Sequence, residues 1–211
     1  MSQVAGPYGL VTSRLVGDLP FSGGMHTYPL TAANVTAFYF GDPVGLSAGQ
    51  PVGLTGSPTP PATYLGAATA NNPIGIFYGC SYQDPKWGFV NSQSLPANAL
   101  ALGYSGIMLK IMDWPYLVMQ VQANGPVTLN QIGLNAALVG PFGGGNPNIG
   151  NSVVALNAGS VGTAVNAVRI YDFLYTPGPS PGASSQPGDP FTDVLVTWCP
   201  GVHRFTIGQG L

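Results

Sequence analysis

Tyr116-Leu117-Val118-Met119-Gln120-Val121-Gln122 is the stretch whose reading decides the fold. Leu117, Met119 and Val121 fall on one side of an extended chain and Gln120 and Gln122 on the other, the two-residue period of a half-buried strand. On its N-terminal side Ile107 to Met112 is equally apolar, and Asp113-Trp114-Pro115 separates the two as a turn-sized break, so the pair is expected to form a hairpin. Further out, short apolar runs keep recurring between turn residues. Val35 to Phe40 stops at Gly41-Asp42-Pro43, and Ile74 to Tyr82 is entered through Asn71-Asn72-Pro73 and left at Asp84-Pro85. Ser152 to Leu156, Ala167 to Tyr175, Phe191 to Cys199 and Val202 to Ile207 complete the series. This is the pattern of an all-β sandwich or barrel rather than of strands alternating with helices.

Composition agrees. The 211 residues include 31 Gly and 21 Pro but no Glu and only two Lys, so turn formers abound while the residues that favour surface helices are nearly absent. Aromatic residues at 10% and many Val, Ile and Leu supply apolar surface that a disordered chain lacks. Charged residues make up only 6%, so much of the surface is expected to be covered by partners or kept soluble by uncharged polar groups. Two stretches read as loops, Ser57 to Pro61 and a Pro-rich excursion over 176–190. Residues 1–29 show little strand alternation and read as an extended N-terminal arm laid on a neighbouring subunit, ahead of a domain over 30–211.

Several function classes fall away. Arg14, Lys86, Lys110, Arg169 and Arg204 are scattered and the net charge is −2, which disfavours nucleic-acid binding. The most apolar stretch, 95–112, is broken by Pro96, Gly103, Gly106 and Lys110 and does not read as a membrane span. The N-terminus has no basic region followed by an apolar one, so no secretory signal is expected, and the Asn34-Val35-Thr36 acceptor pattern has no compartment to act in. Cys80 and Cys199 lack metal-ligand spacing and read as buried free thiols in preference to a bridge between them. His26 and His203 show no acidic or nucleophilic partner at a recognisable spacing, and Asp42, Asp84, Asp113 and Asp189 sit in turn motifs near Pro. The glycine-rich Gly143 to Gly150 lacks the Lys-Ser/Thr ending of a phosphate loop. No catalytic residue, metal or cofactor is expected. Trp87, Trp114, Tyr78, Tyr82 and Met119 are set down to core or interface packing in preference to a sugar-binding surface.

Val118 to Gly125, Ile132-Gly133-Leu134-Asn135-Ala136 and the Gly/Asn loop into Gly150-Asn151-Ser152 resemble a family of tailed-bacteriophage capsid decoration, or cement, proteins. So do Tyr8-Gly9-Leu10 with Arg14, Gly17 and Pro20, Phe40 to Val44, Gly66, Ile74 to Phe77 and Ala167 to Ile170. The resemblance spans most of the chain, and the Pro-rich segment and the scarcity of charge depart from it. It implies a β-barrel or jelly-roll-like protein, commonly a homotrimer, that sits on the outer capsid and ties neighbouring major capsid proteins together, without catalytic residues. Tyr8, Leu10, Arg14 and Phe21 are the candidate contacts to the capsid or to another copy. The rivals are a tail or baseplate component, a carbohydrate-binding host-attachment module and a wall hydrolase.

Overall fold

The computed structural model describes residues 5–58, 72–174 and 186–206. Fifteen strands follow in chain order: β1 (Val11–Leu15), β2 (His26–Pro29), β3 (Phe38–Tyr39), β4 (Pro43–Ser47), β5 (Gln50–Gly53), β6 (Pro73–Asp84), β7 (Gly88–Ser92) and β8 (Ser94–Leu95), then β9 (Ser105–Met112), β10 (Leu117–Gln122), β11 (Asn135–Ala136), β12 (Leu138–Val139), β13 (Ala155–Leu156), β14 (Val168–Phe173) and β15 (Asp193–Trp198). Strand accounts for 44% and helix for 5%, with no helix of seven residues or more among the described residues, so the chain is all-β.

Two larger sheets organise the molecule. The first has the order β1-β10-β15-β14-β11, and the second runs β2-β9-β6-β4-β5 with β7 also paired to β6. Both orders end in edge strands, so the described strands form open sheets, not one closed barrel. Each sheet has its own core. Leu117, Met119 and Val121 of β10 meet Val194, Val196 and Trp198 of β15 and Val168 and Ile170 of β14, with Leu138 and Leu156 from the β12–β13 ribbon. Phe77, Cys80 and Tyr82 of β6 meet Ile107, Leu109 and Ile111 of β9, with Phe38 and Leu95 from the β3–β8 ribbon. At roughly 2 kcal/mol for each fully buried large apolar side chain, these clusters are the main favourable term in folding.

The hairpin expected across Asp113-Trp114-Pro115 does not form. β9 pairs with β2 and β6 in the second sheet, while β10 pairs with β1 and β15 in the first. The link is a crossing between sheets. Pro115 offers no N–H, it holds Trp114 to extended conformations, and neither residue suits the positive φ of a tight hairpin turn. Met112, at the end of β9, already packs in the first sheet's core.

The N-terminal segment also departs from expectation. β1 is the edge partner of β10, β2 is the edge partner of β9, and Leu10 is wholly buried in the first core. Gly6 N–H donates to Gln122 Oε1, Gln120 Nε2 donates to the Tyr8 hydroxyl, and that hydroxyl donates to Asp193 Oδ1. Gln120, Gln122 and Asp193 share the outer face of β10 and β15, so residues 6–8 lie over that face, where Val118 and Leu195 are buried too. The sequence pattern missed this because short strands at a sheet edge need little alternation of their own. Within the expected strand over Val202 to Ile207, the described residues up to Thr206 form instead a turn and a 3-10 helix (Arg204–Thr206), entered by Pro200-Gly201 with Gly201 at φ 76°, while Ile207 lies outside the described residues. Most of the Pro-rich segment lies outside the described residues.

Candidate functional site

The crossing between sheets carries two side chains out to solvent. Trp114 and Tyr116 are both more than half exposed. Beside them, Leu15 N–H donates to the Leu19 carbonyl and closes a turn in which Gly17 and Asp18 both have positive φ. This turn lifts Val16 and Leu19 outward, and Val16 N–H donates to the Tyr116 carbonyl at 2.9 Å, locking turn and crossing together. Met25 and Trp114 both line a cleft of about 320 Å³, together with Leu15 and Phe21. Val16, Leu19, Met25, Trp114 and Tyr116 thus form an exposed apolar belt around the crossing. Large side chains gathered in this way mark an interaction surface more strongly than the same residues scattered singly.

A polar cluster shares this cleft with Met25 and Trp114. The Asp113 side chain is only 10% exposed, and both its carboxylate oxygens lie 2.7 Å from His26 Nδ1. The Tyr28 hydroxyl donates to Asp113 Oδ2 at 2.7 Å, and burial together with that carboxylate pushes the phenol's pKa upward. His26 and Tyr28 share a face of β2, which is how two residues so near each other in sequence reach one carboxylate. Ser22 lines the same cleft, but no hydrogen bond joins it to His26. A nucleophile needs its base within hydrogen-bond reach, so the described geometry holds an oriented His–Asp pair without an activated serine.

Val16, Pro115 and Tyr116 also line a second cavity of about 350 Å³, together with Arg169, Trp198, Cys199 and His203. His203 is fully buried, and burial lowers its pKa to about 4, against the opposing influence of the Ile74 carbonyl and Asp113. The Cys199 thiol donates to Asn135 Oδ1, which also accepts from Arg169 Nε. Burial raises the Cys199 pKa and pushes that of Cys80 up to about 12, so both free thiols stay protonated and are poor nucleophiles. No group of three His, Cys, Asp or Glu suited to a metal occurs among the described residues.

The four candidate contacts fare differently. Leu10 has no surface to offer a neighbour, and Tyr8 is held by Asp193 and Gln120 of its own chain. Arg14 reaches Asp18 at 3.0 Å and Asp172 at 3.7 Å and lies over the Tyr171 ring. These three are engaged inside the fold because residues 6–15 belong to the first sheet. Phe21 alone lines the open cleft. The His26–Asp113 pair escaped sequence reading because 87 residues separate the partners. Trp87 is strongly exposed but stands apart, at the β6–β7 turn with Lys86 over its ring.

No family model matches this chain, and no curated protein or solved structure is significantly similar to it.

Proposed function

We propose that the chain is a non-enzymatic bacteriophage virion protein of the capsid decoration type, which binds the outer surface of the major capsid protein lattice and stabilises the mature head. The observation that carries this reading is the belt of Val16, Leu19, Met25, Trp114 and Tyr116, exposed on a protein with only five basic and seven acidic residues. Such a surface favours a partner that covers it permanently. The sequence resemblance supplies the kind of partner. No helix among the described residues is long and apolar enough to cross a membrane.

A decoration protein acts by mass action: it binds the expanded lattice in preference to the precursor, and each bound copy adds its binding free energy to the mature state. The unpaired edges of the two sheets suit a closed homotrimer at three-fold junctions, which covers faces without fibre growth.

Copy counting by mass spectrometry on purified particles is expected to give hundreds of copies, whereas six or twelve would move the protein to the tail or baseplate. Particles lacking the protein should rupture at lower temperature, and equal rupture temperatures would remove the decoration role. Trp114→Ser should weaken attachment about thirtyfold, the effect of losing an aromatic anchor worth about 2 kcal/mol, and binding should change little with salt. Light scattering should report a trimer; a monodisperse 21.6 kDa monomer would exclude that oligomer.

A second reading has a specific observation behind it. Trp114 stands beside a cleft that also holds the Asp113 carboxylate, an arrangement that suits a sugar ring. Glycan-array binding that disappears in Trp114→Ser would favour a host-attachment module.

A further inference from the structure

A sheet edge left open can add a further strand, and most edges here are guarded against it. β1 carries Arg14 and a break in its register against β10, β2 ends in Pro29, and β5 contains Pro51. β11 is two residues long, and Asn135 exchanges both its backbone hydrogen bonds with Gly162 beyond it. β7 has none of these devices: Gly88-Phe89-Val90-Asn91-Ser92 is uncharged, lacks Pro and runs in unbroken register along residues 80–84 of β6. The Ser92 carbonyl turns toward β6, where Cys80 Sγ approaches it, and the Gln93 carbonyl turns the other way to accept from Phe40 N–H. By alternation Phe89 and Asn91 direct their N–H and C=O groups away from β6, and no described residue bonds them.

Lys110 indicates what such a strand should carry. It lies on β9, opposite Gly79 of the intervening β6, yet its ammonium reaches Asn91 Oδ1 on β7 at 3.4 Å. Gly79 has no side chain to block the way, and Lys110, Asn91, Gln93, Tyr78 and Met25 line a hollow of about 240 Å³ over it. Among the described residues no carboxylate lies within 4 Å of this ammonium, and the acid of β6, Asp84, accepts from the Lys86 and Trp87 N–H groups in the turn. Phe89 shares the face of Asn91 and is 69% exposed. The edge therefore presents open backbone groups, one cation without an acid, and an aromatic ring two residues along.

We propose that β7 accepts an extended segment of the polypeptide partner as an additional antiparallel strand, with an acidic side chain of that segment on Lys110 and an apolar one, two residues away, on Phe89. A second copy is the poorer occupant. Residues 88–92 hold no acid, so self-pairing would bring two Lys110 ammoniums to one seam, and five residues of edge bury far less than the roughly 1,200 Å² of a stable interface. Met25 lines both this hollow and the cleft beside Trp114, so the edge adjoins the belt. Assigning the segment to the capsid partner rests on the decoration reading; the pairing chemistry does not.

The probe is the blocked heptapeptide acetyl-Thr-Val-Thr-Asp-Thr-Val-Thr-amide, titrated into the full-length protein. The backbone amide resonances of Phe89 and Asn91 are expected to move downfield, and their hydrogen exchange to slow severalfold. Asp→Asn in the peptide should weaken binding about threefold, the effect of a partly exposed ion pair. N-methylation of its Asp and Val residues should abolish binding, whereas N-methylation of its Thr residues should be tolerated. Lys110→Gln should bind the Asp and Asn peptides equally, and Phe89→Ser should weaken both severalfold, each with the β spectrum unchanged. No shift at millimolar peptide, binding indifferent to N-methylation, or a preference for Asp that survives Lys110→Gln would each overturn the proposal. Concentration-dependent protection of Phe89 and Asn91 without peptide would give the edge to a second copy instead. Copy counting that moves the protein off the head while the peptide still binds removes the decoration reading and leaves the edge site. Particle attachment that both variants leave intact, with the peptide still bound by the parent, removes the partner's segment as occupant.

Discussion

Removal of residues 1–29 is expected to unfold the protein. The deletion strips β1 from β10 and β2 from β9, and it withdraws Leu10 from the first core. Emptying the Leu10 site alone costs about 2–5 kcal/mol, and two lost edge strands add to it, against a total stability of about 5–15 kcal/mol for a domain. The chain is also threaded closely at this point. Leu10 N–H donates to the Gly41 carbonyl at 2.9 Å, and a Cβ on Gly9, at φ 80°, would stand 2.7 Å from Ser152 Cβ and 3.0 Å from the Gly41 backbone. Gly9→Ala is therefore the milder version of the same experiment, expected to lower stability by about 3 kcal/mol through left-handed strain and overpacking. Far-ultraviolet dichroism and chemical denaturation read both. A truncated protein that keeps its β spectrum and unfolds cooperatively would restore the picture of a separate arm.

Stability is expected to depend on Asp42 in a way that distinguishes it from the exposed carboxylates. The side chain is 3% exposed beneath the same threaded region, and it contacts Ser152 Oγ at 2.6 Å and Tyr39 N–H at 2.9 Å. Burial raises its pKa from 3.8 to about 7, against the opposing hydrogen bonds. A folded-state pKa above the unfolded value means that the folded protein holds the proton more tightly. The resulting stabilisation is complete below about pH 4, declines as the pH rises, and is gone once the pH has passed through about 7. Three pKa units correspond to on the order of 4 kcal/mol. His203 acts with the opposite sign in an overlapping window. Its pKa falls from 6.5 to about 4, so its contribution is present above about 6.5 and is lost as the pH falls through 4. The decisive comparison is consequently between the parent and Asp42→Asn. The variant should be the less stable of the two near pH 4.5 and should gain on the parent toward pH 8, closing the gap by on the order of 4 kcal/mol. Parallel curves across that range would show that Asp42 does not titrate in the folded protein.

The all-β class was legible because its signal is local. Leu117, Met119 and Val121 point where a two-residue period places them, and the buried set on β15 begins with the alternation of Val194, Val196 and Trp198. Pairing is not local, and there the reading failed. Nothing in Ile107 to Gln122 tells that its two strands belong to different sheets, because Asp113-Trp114-Pro115 breaks the chain equally well as a turn or as a crossing. The same residues explain why the candidate site was half seen. Phe21 stands out in the sequence as a candidate contact, and Trp114 as an aromatic of core or interface. His26 and Asp113 looked isolated, since only the pairing of β2 with β9 brings them within 2.7 Å. Residues 6–15 misled for a further reason. They cover a sheet whose outer face carries Val118 and Leu195 among polar neighbours, and a covering segment needs no periodicity of its own.

The place of β15 between β10 and β14 governs how the protein is made. Residues 193–198 fill the middle of the first sheet, yet they emerge from the ribosome after all its other strands. Until they arrive, β10 and β14 each hold a row of open backbone groups, and Met119, Val168 and Ile170 lack the opposing Val194 and Val196. Closure of this sheet is then a late event dominated by contacts distant in sequence, a slow class of folding step. A newly synthesised chain spends that interval with two sticky edges, and crowding of nascent copies during a burst of expression is the moment at which aggregation competes with folding. Yield should accordingly respond to lower expression temperature and to chaperone supply more than to any change on the finished surface.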